Sequence, residues 1–327
     1  MTPFAYAAAP SIEAASRHVA RGAGAEFIAG GTDLLQLLQE GVRRPAELVD
    51  VNGLNLGDIE VTAGRARIGA LCRMAEVADD PGIRREFPAV AEALLASASP
   101  QVRNMATIGG NLLQRTRCLY FRDVAMPCNK REPGSGCPAQ DGQNRMNAIL
   151  GGSAHCIATY AGDLAVALVA LDATLEIAGA ERTRTIPLAG LHRPPGDTPH
   201  VETVLEPGEL ITAVTIETSP LARRSRYLKV RDRSTFEFAL ASAAVALQID
   251  DGVIGEARVA VGGVATTPWR LRAVEDTLRG ERVDGEVFRD AAARAAEGAH
   301  PRAGNAFKVT LVERTVERAL RIVGALA

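Results

Sequence analysis

Four of the five cysteines, Cys118, Cys128, Cys137 and Cys156, fall within 39 residues of one another. Four thiolates from one stretch can hold Zn²⁺ or an iron–sulfur cluster, or pair as two disulfides. The gaps between them, nine, eight and eighteen residues, match neither the paired C-x-x-C of a zinc ribbon nor a ferredoxin run. Spacing leaves cluster and zinc level, with disulfides behind them, because clustered cysteines in a reducing compartment argue for metal. Charge adds a hint: Arg115, Arg117, Arg122, Lys130 and Arg131 outnumber Asp123 and Glu132 nearby, as a negatively charged cluster would favour, although a solvated face or an acidic partner would use them equally well. His155 is a possible fifth donor, read as a hydrogen-bonding neighbour of Cys156. Cys72, after Leu71 on an expected strand, is read as a buried apolar residue.

Two glycine pairs carry the other chemistry. In Phe27-Ile28-Ala29-Gly30-Gly31-Thr32-Asp33-Leu34-Leu35, a short apolar strand runs through a glycine pair into a helix. Such a turn leaves backbone N–H groups from Gly31 to Leu34 pointing at one spot, which suits a phosphate or pyrophosphate; a plain turn with Thr32 or Asp33 as N-cap fits as well. In Ala106-Thr107-Ile108-Gly109-Gly110-Asn111-Leu112 the missing Cβ atoms let a backbone approach a ligand. Gly22-Ala23-Gly24 imitates a dinucleotide fingerprint, but Phe27 stands at the third glycine position and no strand precedes it, so a Rossmann reading is rejected.

These residues need elements to hold them. A helix capped by Ser11 and carrying Ile12, Ala15 and Val19 should stop at Gly22. Strands are expected at Glu26–Ala29 and Glu47–Val51, a hairpin at Ile59–Thr62 and Arg65–Leu71, and a helix from Pro88 to about Ala98. Residues 114–158, about 45 in all, show no periodicity and are broken by Pro127, Pro133, Gly134, Gly136, Pro138 and Gly142. Yet Leu119-Tyr120-Phe121, Met126, Met146 and Ile149-Leu150 are too apolar for a solvated tail, so the cysteines are the obvious staple. Regular pattern resumes with a buried helix Leu164–Leu171 and strands Ala173–Ala178 and Leu210–Glu217. After a change of domain near Ser219-Pro220 come strands Arg226–Arg231, Phe238–Ile249 and Ala257–Val264, then helices Leu271–Leu278, Gly285–Ala296 and Ala306–Leu326. Strands followed by helices indicate an α+β fold.

Composition narrows the field. At 327 residues the chain suits two domains, and its 47% apolar and 23% charged residues are ordinary for a globular protein. A net charge of −2 and 4% aromatics argue against nucleic acid as a partner. No apolar run reaches 18 residues, so no membrane span is expected, and the N-terminus lacks a basic region of the signal-peptide kind. The expectation is a cytoplasmic protein, or a periplasmic one if a partner carries the export signal.

The two glycine-pair motifs, Gly162-Asp163-Leu164-Ala165 and Tyr227-Leu228-Lys229-Val230-Arg231, in this order, resemble the FAD-binding subunit of the molybdenum hydroxylases: xanthine dehydrogenase, aldehyde oxidoreductase and carbon monoxide dehydrogenase. The resemblance covers nearly the whole chain. It implies a two-lobed FAD-binding domain of the vanillyl-alcohol-oxidase type over 1–220 (lobes about 1–57 and 58–220) and a C-terminal α+β domain, a small antiparallel sheet with helices, over 221–327. It implies that Ile28, Ala29, Gly30, Gly31, Thr32, Asp33 and Leu34 wrap the FAD pyrophosphate, and that Thr107, Ile108, Gly109, Gly110 and Asn111 lie on the cofactor's other side. Asp163 would bond its sugar portion, and Ser97, Ile211 and Lys229 would approach the flavin or adenosine. Read without the family, Asp163 is an N-cap and Lys229 a surface lysine on an edge strand. The cysteine-bearing expansion at about 114–158, with Gly151-Gly152-Ser153-Ala154-His155-Cys156-Ile157-Ala158, is similar to the periplasmic-type aldehyde oxidoreductases and, more loosely, 4-hydroxybenzoyl-CoA reductase, where it binds a [4Fe-4S] cluster. By resemblance, Cys118, Cys128, Cys137 and Cys156 are its ligands. The chain would have no substrate-catalytic residue of its own: a large molybdenum-cofactor subunit would oxidise an aldehyde, and a small [2Fe-2S] subunit would relay electrons to FAD in a heterotrimer. The competing readings are a stand-alone flavoenzyme and a zinc-stapled structural subunit.

Overall fold

The computed structural model describes residues 1–22 and 24–325. Three sheets organise them. The first is parallel, with β1 (Ala5–Ala8), β2 (Ala25–Ile28) and β3 (Glu47–Asp50) in the order β1-β3-β2. Parallel neighbours need crossovers, which the helices Ile12–Ala20 and Leu34–Gln39 supply. The Ser11 side chain accepts from Ala14 N at 3.2 Å, as an N-cap should. Ala23 of the rejected fingerprint lies outside the described residues.

The second sheet is antiparallel: β4 (Ile59–Val61), β5 (Arg65–Gly69), β6 (Thr174–Ala178), β7 (Thr183–Pro187) and β8 (Leu210–Glu217), in the order β4-β5-β8-β6-β7. Its core closes over the helices Pro88–Ala96 and Leu164–Ala170. The third sheet, β9 (Ser225–Val230), β10 (Ala241–Asp250), β11 (Val253–Gly262) and β12 (Trp269–Arg270), is antiparallel in the order β12-β11-β10-β9. Strand alternation divides its side chains. Ala244, Ala246 and Ala260 face the core built on the second sheet, whereas Ala243, Val245, Leu247, Val259 and Val261 face the C-terminal helices. A sheet covered on both faces is why β10 reads as a nearly continuous apolar run.

The architecture is α+β, as expected. The long terminal helix spans Phe307–Gly324, slightly inside the expected bounds, and Leu326 lies outside the described residues. The helix expected to end at Ala296 tightens into a 3₁₀ turn from Ala293. Residues 114–158 hold only the short helix Leu119–Arg122 and a 3₁₀ turn at Pro138–Gln140. Their apolar side chains are nonetheless placed: Phe121 and Cys128 pack on Leu37 of the helix Leu34–Gln39, and Ile149 and Leu150 enter the core built on the third sheet. Among the described residues no helix is long and apolar enough to cross a membrane.

Candidate functional site

The two glycine loops, about 80 residues apart in sequence, meet. A Cβ built on Gly30 would fall 2.0 Å from the carbonyl oxygen of Met105 and 3.1 Å from Ala106 Cα, so the first loop lies backbone to backbone on the approach to the second. Gly31 has φ +69°, a left-handed conformation that glycine adopts without strain. Among the described residues the N–H groups of Gly31, Thr32, Asp33 and Leu34 find no protein partner, which is the open donor set that an anionic group would fill.

The second loop is hung from the end of β5. Ile108 N donates to Cys72 O at 3.0 Å, Gly109 N to Ala70 O at 2.8 Å, and Met74 N to Ala106 O at 2.9 Å. Thr107 caps the short helix Ile108–Leu112 through Gly110 N. Gly109 is packed against Ala70, but Gly110 is exposed, and a Cβ there would meet only Thr107 Oγ1 at 3.0 Å. Asn111 Oδ1 is buried without a hydrogen-bond partner, a cost that a bound ligand's donor would remove. Open donors on one loop, a bare backbone and an orphan acceptor on the other fit a dinucleotide laid between them.

Arg73, which the sequence does not flag, ties the loops together. It donates to Met105 O at 2.6 Å and to Asn52 Oδ1 at 3.1 Å, and Asn52 in turn donates to Ala29 O at 3.0 Å. Nothing in its local pattern marks it, since the contact is made only by the fold.

Asp163 sits in a buried polar knot. Its Oδ2 accepts from Ser97 Oγ at 2.9 Å and pairs with Lys229 Nζ at 2.8 Å, and its Oδ1 accepts from Tyr227 Oη at 2.5 Å. Two readings are corrected here. Asp163 occupies the N-cap position but its side chain makes no cap bond, because three stronger partners take the carboxylate. Lys229 is on an edge strand, yet its side chain is only 3% exposed, because the ion pair and the Ala96 carbonyl replace its water. A carboxylate offers about four lone-pair directions; one on Oδ1 is left for a cofactor hydroxyl. Burial beside Asp163 raises the Tyr227 phenol well above its ordinary range, keeping it a donor. Tyr227 was detectable in sequence, since it precedes Lys229 by two residues and so shares its strand face. Ile211 is buried in the core of the second sheet and pairs with Ile177 in the ladder.

Asp33 corrects a third reading. It makes no cap bond to its helix. Instead its carboxylate accepts from Arg115 N at 2.8 Å and pairs with Arg117 at 2.5 Å and Arg122 at 2.8 Å. Burial alone would raise its pKa, but Arg117, the Arg115 N–H and Arg122 hold it below the usual carboxylate range. Arg115 and Lys130 pair with Glu202, and Arg131 donates to the carbonyls of Tyr120, Phe121 and Met126. The basic residues of the cysteine stretch are thus occupied within the protein, and they fix its path.

That path brings Cys118, Cys128, Cys137 and Cys156 to the wall of one small pocket that is partly open to solvent. All five cysteines are free thiols, so the disulfide reading is not what the fold builds. Among the described residues no group of three or more His, Cys, Asp or Glu converges on a single ion position. Burial pushes the Cys156 thiol up to about 12 and raises Cys137, so thiolates there need a compensating cation. His155 pairs with Asp197 at 3.4 Å. Cys72 is a core residue, its thiol pushed up to about 11 by burial.

Residues 2–218 match the family described as FAD binding domain in molybdopterin dehydrogenase, and residues 226–323 match the CO dehydrogenase flavoprotein C-terminal domain. The chain is 48% identical over 324 residues, 98% of each protein, to the aldehyde oxidoreductase FAD-binding subunit PaoB of Escherichia coli K12. It is 30% identical over 328 residues, 97% of this chain and 94% of the relative, to the 6-hydroxypseudooxynicotine dehydrogenase complex subunit alpha of Paenarthrobacter nicotinovorans. The fold is shared with a quinoline 2-oxidoreductase structure from Pseudomonas putida 86, at a TM-score of 0.78 and 24% identity over 100% of this chain and 98% of that one.

Proposed function

The chain belongs to the molybdopterin dehydrogenase family of FAD-binding proteins, and from that membership we propose that it is the FAD- and [4Fe-4S]-carrying electron-transfer subunit of a molybdenum-containing aldehyde oxidoreductase. What supports the cluster is that four free thiols from one stretch line the same pocket. The aldehyde assignment rests on the 48% identity to PaoB. The domain limits are 1–220 and 221–327, with the cluster loop at about 114–158.

FAD supplies the exchange of electrons one or two at a time; the protein positions it. Residues Ile28 to Leu34 would receive the pyrophosphate on their open N–H groups. Thr107, Ile108, Gly109, Gly110 and Asn111 would close the opposite side, with Asn111 Oδ1 accepting from the cofactor. Asp163, held by Ser97, Tyr227 and Lys229, would keep its remaining lone pair for the sugar portion, and Ile211 would contribute backbone. Substrate oxidation belongs to a large molybdenum-cofactor subunit, with a small [2Fe-2S] subunit delivering electrons in a heterotrimer. The complex works in the cytoplasm, or in the periplasm if a partner carries the export signal.

Two expected results test this. Cys118→Ser should lose iron and labile sulfide while keeping FAD, read by metal analysis and the flavin absorbance. Wild-type protein carrying zinc without iron would overturn the cluster. Asp33→Ala leaves Arg117 partly buried without its carboxylate and Arg122 with Glu40 alone, at a cost of about 1–3 kcal/mol. It should open residues 114–158 to limited proteolysis; an unchanged digestion pattern would show that Asp33 does not hold the stretch.

A further inference from the structure

Asn147 is a buried side chain that the electron-transfer reading leaves without a role. Its Nδ2 lies 3.5 Å from Cys118 Sγ, a donor contact to one of the four cavity sulfurs. The same Nδ2 donates to Ile157 O at 3.3 Å, so turning the amide over would set its oxygen against that carbonyl, and the donor end is held toward sulfur. The residue's backbone is clamped from the other side. Lys308 Nζ, itself buried, donates to Asn147 O at 3.1 Å and to Gly263 O at 2.6 Å, and Asn305 Nδ2 donates to Asn147 O at 3.2 Å. An amide fixed by the C-terminal helix and its leading turn is thereby aimed at a thiol of the cysteine stretch.

Resting on the proposed four-cysteine cluster, we propose that Asn147 is a positioning residue whose N–H bond to Cys118 raises the reduction potential of the cluster. Adding one electron makes the cluster and its thiolates more negative by one charge. A donor on a thiolate stabilises the more negative form, and hydrogen bonds to sulfur are among the factors that set such potentials. Backbone N–H groups also reach sulfur, as Ala158 does to Cys156 at 3.4 Å, but side-chain substitution leaves those in place. The Asn147 bond can be removed singly.

The test uses the full chain purified with its iron. Iron and sulfide are counted first, then the cluster is titrated with redox mediators and followed by electron paramagnetic resonance. Asn147→Leu should keep its iron and FAD, and at the wild-type midpoint its reduced-to-oxidised ratio should fall about tenfold, equivalent to 59 mV for a one-electron couple. Iron retained with an unshifted midpoint overturns the role of Asn147 and leaves the cluster standing. Wild-type protein without iron overturns the cluster and this role together. If Asn147→Leu sheds iron, Asn147→Met carries the same test, because it fills a similar space, adds no charge and offers no N–H donor; an unshifted midpoint there is equally decisive against the assignment.

Discussion

Gly110→Val should cut bound flavin at least about tenfold, the equivalent of 1.4 kcal/mol in binding, while leaving the thermal unfolding of the protein close to wild type. Gly110 is exposed at the mouth between the two loops, and a Cβ there meets only the Thr107 hydroxyl. A branched side chain at this point therefore fills space that the polypeptide does not use. Gly30→Ala makes the informative contrast. Its new methyl would fall 2.0 Å from the Met105 carbonyl, so the two loops must part, and both stability and flavin content should drop. Flavin-to-protein absorbance ratios and a melting curve on the two variants separate the causes. Full flavin occupancy in a well-folded Gly110→Val protein would place the cofactor elsewhere.

Asp163→Ala should cost about 3–5 kcal/mol in unfolding free energy, the usual penalty for removing one member of a buried ion pair. The substitution leaves Lys229 buried with the Ala96 carbonyl as its remaining acceptor, and it frees the hydroxyls of Ser97 and Tyr227. Asp163→Asn keeps the shape and an acceptor but not the charge, so it should cost less and still weaken flavin binding. Denaturant midpoints with flavin present and absent would check both. If Asp163→Ala unfolds like wild type, the knot is not holding the third sheet to the cofactor side.

Much of this fold is visible in the order of residues because its elements obey simple periods. The buried helix Leu164–Ala170 and strands β8, β9 and β10 lie close to where hydrophobic pattern places them. Three strands escape that logic, among them the two-residue β12. β1 is Ala-Tyr-Ala-Ala, a poor strand by propensity, and exists because β3 offers it a parallel ladder. β7 alternates exposed and half-buried positions and ends at Pro187, as an edge strand tolerates.

At the site, residue types pointed to the glycine loops and the thiols, but partners were hidden. Asp33 looks like a helix cap until the chain folds back and sets arginines against it. Arg73 bridges segments that only tertiary structure brings together. Charge counting did not show the partners: the structure pairs the five basic residues with Asp33, Glu202 and nearby carbonyls, while Lys130 also lines the thiol pocket.

Asp33 thus belongs to the first glycine turn by sequence and to the cysteine stretch by its bonds. The first glycine turn and the cysteine stretch share a hinge pin, so the two should order cooperatively, and loosening one should loosen the other. The cysteine stretch is for the same reason a poor candidate for grafting onto a protein that lacks an acid at this turn.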